Sequence, residues 1–159
     1  MSNFKKLRTI EIDFQTGIPE IIPSSQTANN TDREVLKKFR VSFGEKLTKD
    51  LRDKSIFPTK QEVFVFVIQY LNCEREYRCR DIDNMGKTIL DISKDKLYKD
   101  DGQVKIFLIT KEIESRVNQN FAYMAVKILN SRGDNRILKM AGLDRSITYY
   151  QELRKKGLV

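Results

Sequence analysis

The run Val63–Leu71 reads Val-Phe-Val-Phe-Val-Ile-Gln-Tyr-Leu, almost entirely β-branched, aromatic or aliphatic. Such a run predicts a buried strand, and it is far too short to cross a bilayer. A second apolar segment, residues 104–109, predicts another strand. Between them Ile82, Met85, Ile89, Ile92 and Leu97 keep roughly helical spacing and offer one apolar face to a core. This part of the chain is therefore committed to a strand–helix–strand unit.

The polar positions of that unit carry the chemistry. Arg80-Asp81-Ile82-Asp83-Asn84-Met85-Gly86-Lys87 stands at the start of the predicted helix, and Asp100-Asp101-Gly102-Gln103 in the turn before the second strand. Asp81 and Asp83 project to the same side if the chain is still extended there, with Asp83 or Asn84 near the helix start. Lys87 and Asp91 fall opposite the apolar stripe, one and two turns beyond Asp83. The return of the chain to the sheet is expected to bring Asp100 and Asp101 near the first pair. Carboxylates gathered in this way repel, at a cost on the order of 4 kcal/mol per pair at about 4 Å and an effective dielectric near 20. A divalent cation or proton uptake relieves that cost. Hard oxygen ligands suit Mg²⁺ or Mn²⁺, and a chain without histidine offers no imidazole to zinc. The chemistry indicated is metal-assisted hydrolysis of a phosphodiester, with Lys87 neutralising charge that develops on the phosphate.

Each part alone also has a plainer explanation. Asp-x-Asp-Asn before a helix serves as a cap with acidic residues at the positive helix end. Lys87, one turn after Asp83, makes a surface pair worth roughly 0.3–0.5 kcal/mol. Asp101-Gly102 is a common turn signal. A calcium-loop start at Asp81, Asp83 and Gly86 fails, because Met85 occupies a ligand position and Ile92 stands where a bidentate glutamate is needed.

Taken together, Asp81-x-Asp83-Asn84-x-x-Lys87, then Leu90-Asp91, then Asp100-Asp101-x-Gln103-Val104 resembles the signature of the RusA family of Holliday junction resolvases. The resemblance covers residues 80–111. It implies that Asp81, Asp83 and Asp101 are the essential acidic residues, binding Mg²⁺, that Lys87 is also needed for cleavage, and that Asp100 is an auxiliary metal ligand. It also implies a mixed sheet with helices packed on it. Members of that family often carry a proline-containing basic loop near the DNA. The corresponding loop here, residues 17–30, has Pro19 and Pro23 but lacks the arginines.

Charge agrees with a nucleic-acid partner. Lysine and arginine number 30 against 22 acidic residues, a net charge of +8 with pI near 9.5. Since the acidic residues include the candidate site, the remaining surface is more basic than the total implies; it suits a phosphate backbone, although an anionic membrane also attracts it. One domain is expected at 159 residues. No signal core or membrane span is seen, so a cytoplasmic location is expected. Cys73 and Cys79 lack a Cys-x-x-Cys pattern and histidine partners, and are expected to be reduced structural thiols in or beside a strand.

The rest of the chain completes the expectation. Residues 7–14 alternate with Arg8, Ile10, Ile12 and Phe14 on one side, predicting a first strand, and residues 17–30 predict a surface loop. Thr31 or Asp32 caps a helix to about Leu51, with Val35, Leu36, Phe39, Phe43 and Leu47 inward and Lys37, Lys38, Arg40, Lys46, Lys49 and Arg52 outward. Residues 121–129 predict a further strand. Residues 131–159 hold two short helical runs about Ala141-Gly142-Leu143, a pattern shared with a helix-turn-helix half but found more often in a helix packed on the domain or a second subunit. The fold class is thus α/β, a RusA-like endonuclease domain over residues 1–130 and a helical C-terminal extension over 131–159.

The function expected is a Mg²⁺-dependent endodeoxyribonuclease that resolves four-way DNA junctions by paired symmetric nicks. A homodimer suits that near two-fold substrate. Two alternatives remain open from sequence: a nuclease for flaps or forks, and a non-catalytic DNA-binding regulator that uses the C-terminal helices.

Overall fold

In the computed structural model, residues 11–130 are described, together with Glu152, Arg154, Lys155 and Gly157. The chain divides into two units, Met1–Ile128 and Leu129–Val159. In the second, Glu152, Arg154 and Lys155 have helical backbone and Gly157 lies at positive φ in a turn; the remaining expectations for residues 131–159 fall outside the described residues.

The first unit is built on β2, Val63–Leu71, whose alternating burial puts Val63, Val65, Val67, Gln69 and Leu71 fully inside. It pairs in parallel with β3, Val104–Ile113, and antiparallel with β4, Phe121–Ile128. The first strand, β1, Phe14–Ile18, pairs antiparallel with β4, and the four-stranded sheet runs β1-β4-β2-β3. The sheet is therefore mixed, as expected. Helix α1, Asn30–Asp50, and helix α3, Ile82–Ser93, pack on one face, where Phe39, Phe43, Leu47, Met85, Ile89 and Ile92 join the strand side chains in one core. On the other face the rings of Phe66 and Tyr123, and of Tyr70 and Phe121, meet each other while staying partly exposed.

Several expectations shift. The first strand begins at Phe14, where the sequence pattern placed its end; residues 11–13 are not strand, and residues 7–10 lie outside the described residues. Ladder pairing with β4 overrides the weak strand preference of Gly17. The predicted surface loop after it is anchored inside: Ile22 and Pro23 are buried, and the Ile22 amide donates to Gln69 Oε1 at 2.9 Å. In α1 the cap is Asn29, whose side chain accepts from the Asp32 amide at 2.8 Å. Val35 is exposed, because it sits about 100° round the helix from Leu36. A short helix not foreseen, α2, Glu74–Cys79, follows β2, held by the pairs Glu74–Arg78 and Glu76–Arg80. Cys73 and Cys79 are free and exposed at its two ends, so neither packs in the core. Helix α3 stops at Ser93, short of Leu97; Asp95 at φ 63° turns the chain, and Leu97 is buried from that turn. Among the described residues no helix is long and apolar enough to cross a membrane.

Candidate active site

Asp81 is the N-cap residue of α3 and Asp83 lies in its first turn. The backbone is thus already helical at Asp83, and the expected same-side projection from an extended chain does not apply. Asp81 makes no capping bond to the helix; its Oδ2 accepts from Asn84 Nδ2 at 3.2 Å. Lys87 is exposed one turn on. Among the described residues no ion pair joins Lys87 to Asp83, so the surface-pair explanation of this lysine is not realised.

Other acidic side chains nearby behave differently. Asp91 pairs with Arg40 of α1 at 3.6 Å, and Glu76 with Arg80. Asp81, Asp83 and Lys87 are exposed and, among the described residues, lack an oppositely charged partner. An exposed charge gains little from pairing, so the absence of neutralisation costs the fold almost nothing. It does leave two carboxylates and one ammonium available to a ligand in the first half of α3.

The chain around them is well fixed. The Ser25 amide donates to the Asn84 carbonyl at 3.1 Å and Ser25 Oγ to Asn84 Oδ1 at 3.4 Å. Buried Thr88 donates to the Pro23 carbonyl at 2.8 Å. The loop before α1 is thereby laid over the start of α3, and the two enclose an open cleft of about 380 Å³ lined by Ser24, Gln26, Thr27, Arg80, Asp81 and Asn84. Gly86 permits α3 to seat on β3, for a Cβ there would lie 2.6 Å from a ring carbon of Phe107.

Asp100 and Asp101 are elsewhere. Asp100 caps the single 3-10 turn Asp101–Gln103: its Oδ1 accepts from the Gly102 amide at 2.8 Å, while Gln103 Oε1 accepts from the Asp100 amide at 2.8 Å. The turn foreseen at Asp101-Gly102 is thus formed, with Asp100 as its cap. Asp101 pairs at 3.8 Å with Lys94, the residue that ends α3. Burial first, then the charges of Asp101 and Asp91, push the Tyr98 phenol above its ordinary range, and its hydroxyl donates to the Leu90 carbonyl at 2.9 Å. Asp81 and Lys94 cap opposite ends of α3, thirteen residues apart, which is about 20 Å along the axis at 1.5 Å per residue. Within one chain, therefore, Asp101 does not join Asp81 and Asp83. The reason is topological: β2 and β3 are parallel, so the helical connection must cross from one end of the sheet to the other before β3 begins. Among the described residues no group of three or more acidic or cysteine side chains is placed to hold a metal ion.

Sequence reasoning also missed Lys111. From the end of β3 its ammonium donates to the carbonyls of Tyr77 and Arg80, both at 2.7 Å. The available signal was parity: Lys111 shares the helix-facing side of β3 with Phe107 and Ile109, an unusual place for a cation.

A family model described as Endodeoxyribonuclease RusA matches residues 25–121. That is more than half of the chain. The chain belongs to the RusA endodeoxyribonuclease family. The matched region extends well beyond the motif at residues 80–111, taking in the loop over the cleft, α1, β2 and β3. No curated protein matches the chain. Family membership identifies an endonuclease acting on DNA and agrees with the mixed α/β sheet.

Proposed function

We propose that this RusA-family chain is a divalent-metal-dependent endodeoxyribonuclease that resolves four-way DNA junctions as a homodimer. The observation that carries the site assignment is the unneutralised trio Asp81, Asp83 and Lys87 in the first half of α3, with Asp81 lining a cleft, where neighbouring acidic side chains are paired. Two exposed carboxylates with an amide side chain next to them are the hard donor set of a magnesium site, which commonly uses one or two carboxylates and leaves room for water and phosphate oxygens. Asp81 and Asp83 would hold Mg²⁺, or Mn²⁺ in its place. When bound, such an ion polarises the phosphodiester and lowers the pKa of a coordinated water.

The chain's own residues supply the rest. Lys87, one turn beyond Asp83, places a positive charge beside the scissile phosphate and offsets charge that develops there. The cleft under the loop at Ser24, Gln26 and Thr27 offers hydroxyl and amide groups to the sugar-phosphate chain at Asp81. Basic side chains elsewhere supply sequence-independent affinity, and recognition of the branch rests on shape.

Asp101 enters this scheme only through a second copy. A two-fold partner with its α3 running the opposite way would bring its own Asp101 end to the Asp81 end of the first chain, twice over by symmetry. The ion pair of Asp101 with Lys94 is long and exposed, so little is lost when it is redirected. Asp100, occupied as a turn cap, is assigned to holding Asp101 in place rather than to the metal.

The test is Asp83→Asn on a synthetic four-way junction with Mg²⁺. Nicking is expected to disappear while junction binding persists or tightens, because a negative charge beside phosphate has been removed. Retained nicking would remove the site assignment. Comparison of junction, fork and linear duplex at equal salt separates junction resolution from a broader branched-DNA activity.

A further inference from the structure

The Asp81 side chain is exposed and makes no capping bond, and among the described residues its one hydrogen bond comes from Asn84, so its direction is set mainly by its own backbone. That backbone enters from α2, a helix of six residues, too short to persist on its own intrinsic stability. Something must hold the end of α2 for Asp81 to have a fixed position.

Lys111 is placed to do so. Its ammonium donates to the Tyr77 and Arg80 carbonyls at 2.7 Å each and stands 4.5 Å from the centre of the Tyr77 ring. Both carbonyls belong to the C-terminal end of α2 and its cap, where unsatisfied acceptors and the negative pole of the helix favour a cation. The Arg80 carbonyl is part of the planar peptide group that includes the Asp81 nitrogen, so holding that oxygen fixes the plane from which Asp81 departs. Among the described residues no carboxylate pairs with Lys111. Its charge is therefore spent on backbone oxygens, in charge-assisted bonds stronger than a neutral donor would make.

We propose that Lys111 is a positioning residue of the active site, a cationic clamp that fixes the Arg80–Asp81 peptide and thereby presents the Asp81 carboxylate to metal and phosphate. The proposal rests on the reading of Asp81 as a metal-holding residue. It also gives β3 a second role: the strand that starts beside Asp101 ends in the clamp on Asp81.

The experiment compares full-length wild-type protein with Lys111→Met, Lys111→Gln and Lys111→Arg, and runs Asp81→Asn alongside. Four quantities are read: Mn²⁺ binding without DNA by electron paramagnetic resonance, the Mg²⁺ dependence of junction nicking, junction affinity in EDTA, and hydrogen exchange of the amides at residues 81–85. Lys111→Met is expected to weaken Mn²⁺ binding and raise the half-saturating Mg²⁺ about tenfold. Exchange at residues 81–85 should quicken while junction affinity in EDTA stays within about twofold. Lys111→Arg, which keeps charge and donors, should recover most of the metal response. If Lys111→Met does not fold, Lys111→Gln, which retains a neutral donor, is expected to show the same pattern in weaker form. Wild-type metal dependence in a folded neutral variant overturns the clamp, as does a loss of stability and binding with the half-saturating Mg²⁺ unchanged. Wild-type nicking by Asp81→Asn would instead overturn the assignment of Asp81 and the clamp with it, whereas an inactive Asp81→Asn beside a wild-type-like Lys111→Met removes the clamp alone.

Discussion

Gly86→Ala tests how closely α3 is seated on the sheet. In an ordinary helix this exchange stabilises by about 1 kcal/mol, because glycine loses more backbone freedom than alanine on folding. Here the new methyl would lie 2.6 Å from Phe107 Cε1, 3.1 Å from Cζ and 3.7 Å from Ile109 Cδ1. Carbon atoms rest at about 3.5–4.0 Å, so the ring must retreat by roughly 1 Å. Phe107 packs against the main core while staying partly exposed, and overpacking of this kind costs about 1–3 kcal/mol. The net expectation is a loss of up to about 2 kcal/mol in place of the usual gain. Urea unfolding of the full chain, followed by far-ultraviolet circular dichroism, reads the difference. The same exchange in a Phe107→Leu background isolates the cause: with the ring gone, alanine should stabilise by about 1 kcal/mol, giving a coupling of about 1–3 kcal/mol between the two positions. Nicking should fall in the single variant, because Asp83 and Lys87 flank the displaced turn. A gain of similar size in both backgrounds, with no coupling, would refute the close contact and the seating of the helix derived from it.

Two further outcomes follow from the fold. Gln69→Leu should cost about 2–3 kcal/mol in chemical unfolding, since the fully buried amide holds the Ile22 N–H at 2.9 Å and the Phe121 carbonyl at 2.9 Å, and both lose that partner; a loss below about 0.5 kcal/mol would show that the loop over the site is not anchored there. Asp50 at the end of α1 accepts from Lys46 at 2.7 Å and from buried Thr16 at 2.8 Å, and the bond from Lys46 above all holds its carboxyl below the ordinary value of 3.8. A depressed folded value means stability that is present above 3.8 and lost as pH falls through the folded value, so Asp50→Asn should destabilise by about 1 kcal/mol at pH 7 and by a vanishing amount once both forms are protonated. Unfolding midpoints at the two extremes check this, and a difference that grows on acidification would reverse the assignment.

What the sequence made legible was local. The run at Val63, the amphipathic spacing from Ile82 to Leu97 and the apolar segments at 104–109 and 121–129 each report on their own segment; β2, β3 and β4 lie where these patterns put them, and α3 does too except that it stops at Ser93. The misplaced β1 depends on which partner strand offers a ladder, and that information lies more than a hundred residues away in β4. The depth of Ile22 and Pro23 was hidden for a similar reason, because their anchor is a glutamine side chain in β2 and a threonine in α3. At the site, residue types were readable and their grouping was not. Counting residues from Asp83 to Asp101 says nothing of direction until β2 and β3 are known to be parallel, with α3 crossing between their opposite ends. Lys111 was concealed in a strand otherwise read for its apolar content.

The most direct test of this account mixes two inactive proteins. Asp83→Asn and Asp101→Asn are prepared separately, shown to lack junction nicking, then combined in equal amounts under conditions of verified subunit exchange. If each site takes Asp81 and Asp83 from one copy and Asp101 from the other, a mixed dimer carries one doubly damaged site and one intact site. Nicking is expected to return, on one strand per dimer and without the paired symmetric cut. If all the acidic residues of a site come from one chain, both sites of the mixed dimer are damaged, and a mixture that stays inactive after exchange would contradict the shared site.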